Sequence, residues 1–292
     1  MRYIITLLMT ATPAFAEVPS VVTDIPPVQA LVAQVMGDLG SPELLLAKGA
    51  DEHDFQLRPS QAGAVADAGL VVWIGPELTP WLAGALETGP EGAASLALLE
   101  AEGTLRREYG EQGEKGHDHG PVDPHAWLAP DNAEVWLGLI AGELSRLDPE
   151  HAAIYRANAA AAGKQVAALD DEIAGLLAPV KGRALLTYHD AFGYFADHYG
   201  LDFVGSVALG DASSPGAARL VELRDEIEAG GVTCLFPEVQ HDPALLEQLA
   251  EGTGVRIGGA LDPVGSSLEP GPGAYAALLR GLAETIAECA GG

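Results

Sequence analysis

No proline interrupts the chain between Pro149 and Pro179, and within that stretch Val166, Leu169, Ile173 and Leu176 recur at spacings of three and four. That period lines one face of an α-helix, which Asp148-Pro149 begins and Pro179 stops. At about 1.5 Å per residue, roughly 28 residues span about 40 Å, the height of a domain. The segment therefore predicts a stiff rod over 149–178 rather than a flexible linker.

Both flanks of the rod alternate between short apolar runs and helical patterns. Before it, Val18 to Thr23, Leu44 to Leu46 and Leu70 to Ile74 read as strands. Helical patterns run through Val28, Leu31, Val32, Val35 and Met36, and again from Ser60 to Ala68. After it, strands are expected at Ala184 to Thr187, Phe203 to Val207, Thr233 to Phe236 and Val255 to Ile257. Helices are expected between them, and a last one from Tyr275 to Cys289. Such alternation argues for parallel sheets covered by helices. The fold class is thus α/β: two lobes, each a mostly parallel sheet flanked by helices, joined by one long rigid α-helix. The expected boundaries are 17–148, 149–178 and 179–292. Within the first lobe, Glu102 to Pro121 is polar, glycine-bearing and without apolar periodicity, which predicts a mobile loop.

The N-terminus carries a different signal. Arg2 is the only charge before Glu17, Tyr3 to Met9 is apolar, and Ala14-Phe15-Ala16 follows. A basic start, a short apolar core and an A-x-A exit describe a cleaved secretory signal peptide over 1–16. Every later apolar run is broken by Gly, Pro or charge before it reaches membrane-spanning length. A periplasmic, soluble protein is expected, as a monomer. Its 42 acidic residues against 15 Lys and Arg repel nucleic acid and anionic lipid and suit a cationic ligand. The two cysteines, Cys234 and Cys289, are too few for a thiolate zinc site. In an exported chain they favour a disulfide.

Eight histidines are present. His53 follows Leu44-Leu45-Leu46 through Gly49-Ala50-Asp51-Glu52, and His189 directly follows Ala184 to Tyr188. His125 sits in Asp123-Pro124-His125-Ala126-Trp127, before a helix opened by Pro130-Asp131, and Asp262 lies just past Val255-Arg256-Ile257. Residues beyond the carboxyl ends of parallel strands face the ligand crevice. If the lobes face each other, these four groups converge, and three imidazoles with one carboxylate suit zinc over manganese or magnesium. Taken singly, each reads more simply as a capping or surface residue, and Asp262 before Pro263 as a turn former. His151 and His198 lie in helical patterns as solvated or packed residues, and His241 begins a helix.

Four motifs stand in order: Gly49-Ala50-Asp51-Glu52-His53-Asp54-Phe55, Asp123-Pro124-His125-Ala126-Trp127, Tyr188-His189-Asp190-Ala191-Phe192-Gly193-Tyr194-Phe195 and Leu261-Asp262-Pro263-Val264-Gly265. They resemble the metal-site motifs of the zinc-binding, ZnuA-like solute-binding proteins of bacterial ABC transporters, over essentially the whole chain after the signal. The resemblance implies Zn2+ as the ligand, a membrane permease as partner, and His53, His125, His189 and Asp262 as the ligands. Glu52, beside His53, is the alternative carboxylate. It also supports joining Cys234 to Cys289. His117, Asp118 and His119, in the polar loop, offer an accessory site that sweeps for ions or meets a periplasmic zinc chaperone. Two other readings compete. One is a zinc hydrolase with Glu52 as general base, although no H-E-x-x-H occurs. The other is a metal-binding adhesin of the same fold.

Overall fold

Short buried apolar runs on either side of the long helix form two separate sheets. The structure, a computed structural model, describes residues 18–88, 94–109, 122–208 and 215–291. The first half forms β1 (Val21–Thr23), α1 (Pro26–Met36), β2 (Glu43–Leu44), α2 (Pro59–Ala66), β3 (Leu70–Trp73), α3 (Pro80–Thr88) and β4 (Ala94–Ala97). Its sheet has the order β2-β1-β3-β4 and is parallel throughout. β1 and β3 are wholly buried, as parallel strands covered on both faces must be. α3 and β4 are absent from the pattern reading. Ala94-Ser95-Leu96-Ala97 has little intrinsic strand preference and is held at the sheet edge by its ladder with β3.

β5 (Arg107–Glu108) and β6 (Val122–Asp123) pair antiparallel and lead into α4 (Pro130–Leu147). The described residues of the expected loop over 102–121 are tied to the helix that follows. Asn132, on α4, accepts from Leu105 N–H and donates to Leu105 C=O, and the Trp136 indole donates to Thr104. Polar composition hid these ties, because their partners lie some thirty residues on. His117, Asp118 and His119 lie outside the described residues, as does the expected signal peptide.

The rod is α5 (Ala152–Leu177), 26 residues long, or about 39 Å. The second half then forms β7 (Ala184–Thr187), α6 (Gly193–Tyr199), β8 (Asp202–Ser206), α7 (Ala217–Glu228), β9 (Cys234–Phe236), α8 (Ala244–Ala250), β10 (Arg256–Ile257) and α9 (Ala274–Ala290). Its sheet, β10-β9-β7-β8, is also parallel. α5 is more than a spacer: it packs against α1, α4 and α9, and α9 packs against α1. One continuous core consequently runs from Val21 to Ala290 and draws on both halves. A disulfide joins Cys234 on β9 to Cys289 on α9. A bridge over 55 positions contributes on the order of 4 kcal/mol in the chain-entropy model. Among the described residues, no helix is long and apolar enough to cross a membrane.

Candidate metal centre

Each sheet delivers its strand ends to the same cleft. β7 ends at Thr187, and two residues later His189 is held from two sides. Its backbone N–H donates to Glu238 Oε1 at 3.0 Å, and its Nδ1 meets Glu238 Oε2 at 2.6 Å. Glu238 itself follows β9, the neighbouring strand. His125 follows β6 in the same manner. Its N–H and Nδ1 both meet Asp123 Oδ1, at 3.0 and 2.8 Å. A carboxylate only accepts, so each Nδ1 carries the proton and each Nε2 is left with the lone pair. This is the tautomer that a metal ligand requires. His125 Nε2 is buried and has no hydrogen-bond partner among the described residues.

His53 arrives on the segment after β2. Gly49 turns that segment with φ +74°, a conformation glycine adopts without strain, and its N–H donates to Ser266 C=O. Asp51 then accepts from His53 N–H at 2.9 Å. The three imidazole centroids stand 5.3, 5.4 and 6.0 Å apart. Rings bound through Nε2 at about 2.0–2.1 Å to one tetrahedral ion would have centroids about 5.2 Å apart. The observed triangle is therefore close to the coordinating size. His53, His125 and His189 form one of two groups of metal-ligating side chains found among the described residues, and His189, Glu238 and His241 form the other.

The two carboxylates considered from sequence take different positions. Glu52 is buried, and its Oε1 stands 3.8 Å from His53 Nε2. Burial, with the charge of Asp51 added, pushes its carboxyl up to about 8. Neither Glu52 nor Asp262 belongs to the group that the three histidines form. Asp262 Oδ1 accepts from Ser266 N–H at 3.0 Å, and its Oδ2 from Ser267 N–H and Oγ at 2.8 and 2.6 Å. It closes the turn after Leu261, the role that Asp before Pro has by default. That turn presents Pro263 C=O to the Trp127 indole at 2.8 Å, fastening the His125 segment to the second half.

Pattern reading missed Glu238, Asp123 and His241 as parts of the site. Glu238 had a usable signal, since it stands just past the carboxyl end of a strand. His241 does not simply open a helix. Its ring stacks on Tyr188 at 4.1 Å, burial lowers its pKa, and it faces Glu238. His198 pairs with Asp131 and Asp170, and His151 with Asp148, away from the centre.

Two parallel-sheet lobes fastened by a shared helical layer, with inward-facing imidazoles drawn from both, have the build of a metal-binding solute-binding protein. Comparison with known proteins makes this specific. The profile of the ZnuA family, zinc-uptake complex component A, periplasmic, matches residues 21–289, and the chain belongs to that family. It is 49% identical to the high-affinity zinc uptake system protein ZnuA of Paracoccus denitrificans, over 96% of this chain and 94% of the relative. A zinc-bound ZnuA deletion mutant of known structure is similar at 27% identity and a TM-score of 0.78, covering 93% of this chain and 98% of that one. The laminin-binding protein Lmb of Streptococcus agalactiae is similar at 26% identity and a TM-score of 0.76, over 92% and 99%.

Proposed function

We propose that this protein captures zinc outside the cytoplasm with high affinity and delivers it to the permease of an ABC transporter. The observation that carries the reading is the triangle of buried imidazoles, two of which have Nδ1 tied to a carboxylate so that Nε2 points its lone pair inward. We assign His53, His125 and His189 as ligands and Glu52 as the fourth. Glu52 is favoured by its position beside His53, with Oε1 3.8 Å from His53 Nε2, and Asp262 is the alternative. Three imidazoles and a single carboxylate select a borderline-soft ion over manganese or magnesium. Four protein ligands also fill a tetrahedron and leave no position for an activated water, which separates binding from hydrolysis. Family membership supports a periplasmic location.

Titration against a competing chelator tests this reading. One equivalent of zinc should bind tightly, with manganese weaker by orders of magnitude, and His53→Ala should abolish the tight phase. Zinc-dependent hydrolysis of ester or peptide panels, lost in His125→Ala, would overturn it in favour of an enzyme.

A further inference from the structure

His189, Glu238 and His241 offer ligand atoms that all lie within 4.8 Å of one another. Glu238 Oε2 stands 3.9 Å from His241 Nε2. The His241 and His189 ring centroids are 6.3 Å apart, close to the 6.0 Å between His53 and His189. His241 is held in place: its ring lies on Tyr188 with an interplanar angle of 16°, and its N–H donates to Glu238 C=O. Exposure also grades outward. The His125 side chain has none and those of His53 and His189 have 4%, while that of His241 has 18%. One pocket is lined by Glu52, His53, His189, Glu238 and His241, so His241 borders the same space as two of the inner rings.

We infer that His241, Glu238 and His189 form a second, weaker zinc station on the solvent side of the three-histidine centre, which the ion occupies on entering and on leaving. The inference rests on the reading of that centre as the tight zinc site. An ion leaving a closed, buried site in one step must give up every ligand at once. His189 stands between the two sets, with Nε2 facing the inner rings and Nδ1 facing Glu238, so an ion released from the inner set finds Glu238 and His241 as the next ligands within reach. Glu238 Oε2 holds His189 Nδ1 and has a second lone pair on the side of His241. Imidazole and carboxylate together suit the same borderline ion as the inner site. Asp51 and Asp242 beside the cluster add negative charge that draws a cation to this mouth.

The test uses zinc itself with a chromophoric chelator. His53→Ala combined with His125→Ala removes two inner ligands and leaves the proposed station intact. This double variant should still bind zinc, about 100-fold or more weakly than the intact chain. Adding His241→Phe, which keeps a ring against Tyr188 but has no nitrogen, should weaken that binding about tenfold or more. In the otherwise unmutated chain, His241→Phe should slow zinc transfer both from and to the chelator by a similar factor. No zinc binding by the double variant, affinity within about twofold after adding His241→Phe, or unchanged transfer rates in the single variant would each overturn the inference. Failure of the inner-site reading is read separately, as absence of tight binding by the intact chain.

Discussion

Replacing Asp123 by Asn tests how much one buried carboxylate contributes to zinc affinity from behind a ligand. Asp123 is wholly buried. Its Oδ1 accepts from both the backbone and Nδ1 of His125, and its Oδ2 accepts from Arg107 Nη1 at 3.2 Å. Asn keeps only one acceptor. If the amide oxygen stays with His125, the new NH2 group meets the Arg107 guanidinium, donor against donor. If the amide turns over, NH2 faces Nδ1 and favours the tautomer with its proton on Nε2, the nitrogen that must bind the ion. Losing such an outer partner typically weakens metal binding 10–100-fold, equivalent to about 1.4–2.8 kcal/mol. The metal-free fold also suffers, since a buried donor without an acceptor costs about 1–3 kcal/mol. At roughly 2–4 °C per kcal/mol for a chain of this size, the metal-free Tm should fall by about 2–12 °C. Chelator competition gives the first quantity and a thermal melt in excess chelator the second. Asp197→Asn is the control. Its carboxylate also meets Arg107, at 2.9 Å, but its side chain is 71% exposed, and exposed pairs contribute about 0–1 kcal/mol. Parental zinc affinity in Asp123→Asn, or an equal loss in Asp197→Asn, would refute the argument that His125 is tuned by its buried acceptor.

Three further outcomes are expected. Burial holds the Glu52 carboxyl near 8, so zinc must displace its proton below that pH. Affinity should therefore climb by up to about tenfold per unit between pH 7 and 8, and an unaltered slope in Glu52→Gln would remove Glu52 from the coordination set. His189→Ala should weaken zinc binding at least about 100-fold more than His198→Ala, because His198 is engaged by Asp131 and Asp170; equal effects in competition titration would contradict the assignment. Reducing the Cys234–Cys289 bridge should cost on the order of 4 kcal/mol in denaturant unfolding with little change in zinc affinity. A parallel collapse of affinity would mean that the bridge positions Glu238, two residues past β9.

Much of the architecture follows from one-dimensional pattern, because burial on both faces forces strands such as β3 and β9 to be continuously apolar. The rod is legible for a similar reason: Val166, Leu169 and Ile173 repeat at helical spacing whatever they pack against. His189 is legible as a candidate because it stands just behind a parallel strand, where such sheets open their crevice, and His53 and His125 because of the motifs around them. Cys234 and Cys289, the only two cysteines, leave a single intramolecular pairing.

Other features come from contacts that no local pattern encodes. The rod's place in a layer with α1, α4 and α9 depends on where the last helix docks, more than a hundred residues from the first. Glu238 becomes the partner of His189, 49 positions away, only because β7 and β9 are neighbours with Leu186 opposite Leu235. The local partners of Asp262 are likewise set by the folded turn, in which Ser266 and Ser267 donate to its two oxygens. Sequence spacing determined which groups were available near the cleft. Which carboxylate faces an imidazole was decided by strand order and register, because a hydrogen bond needs its atoms within about 3 Å and only the assembled sheet brings such distant residues that close.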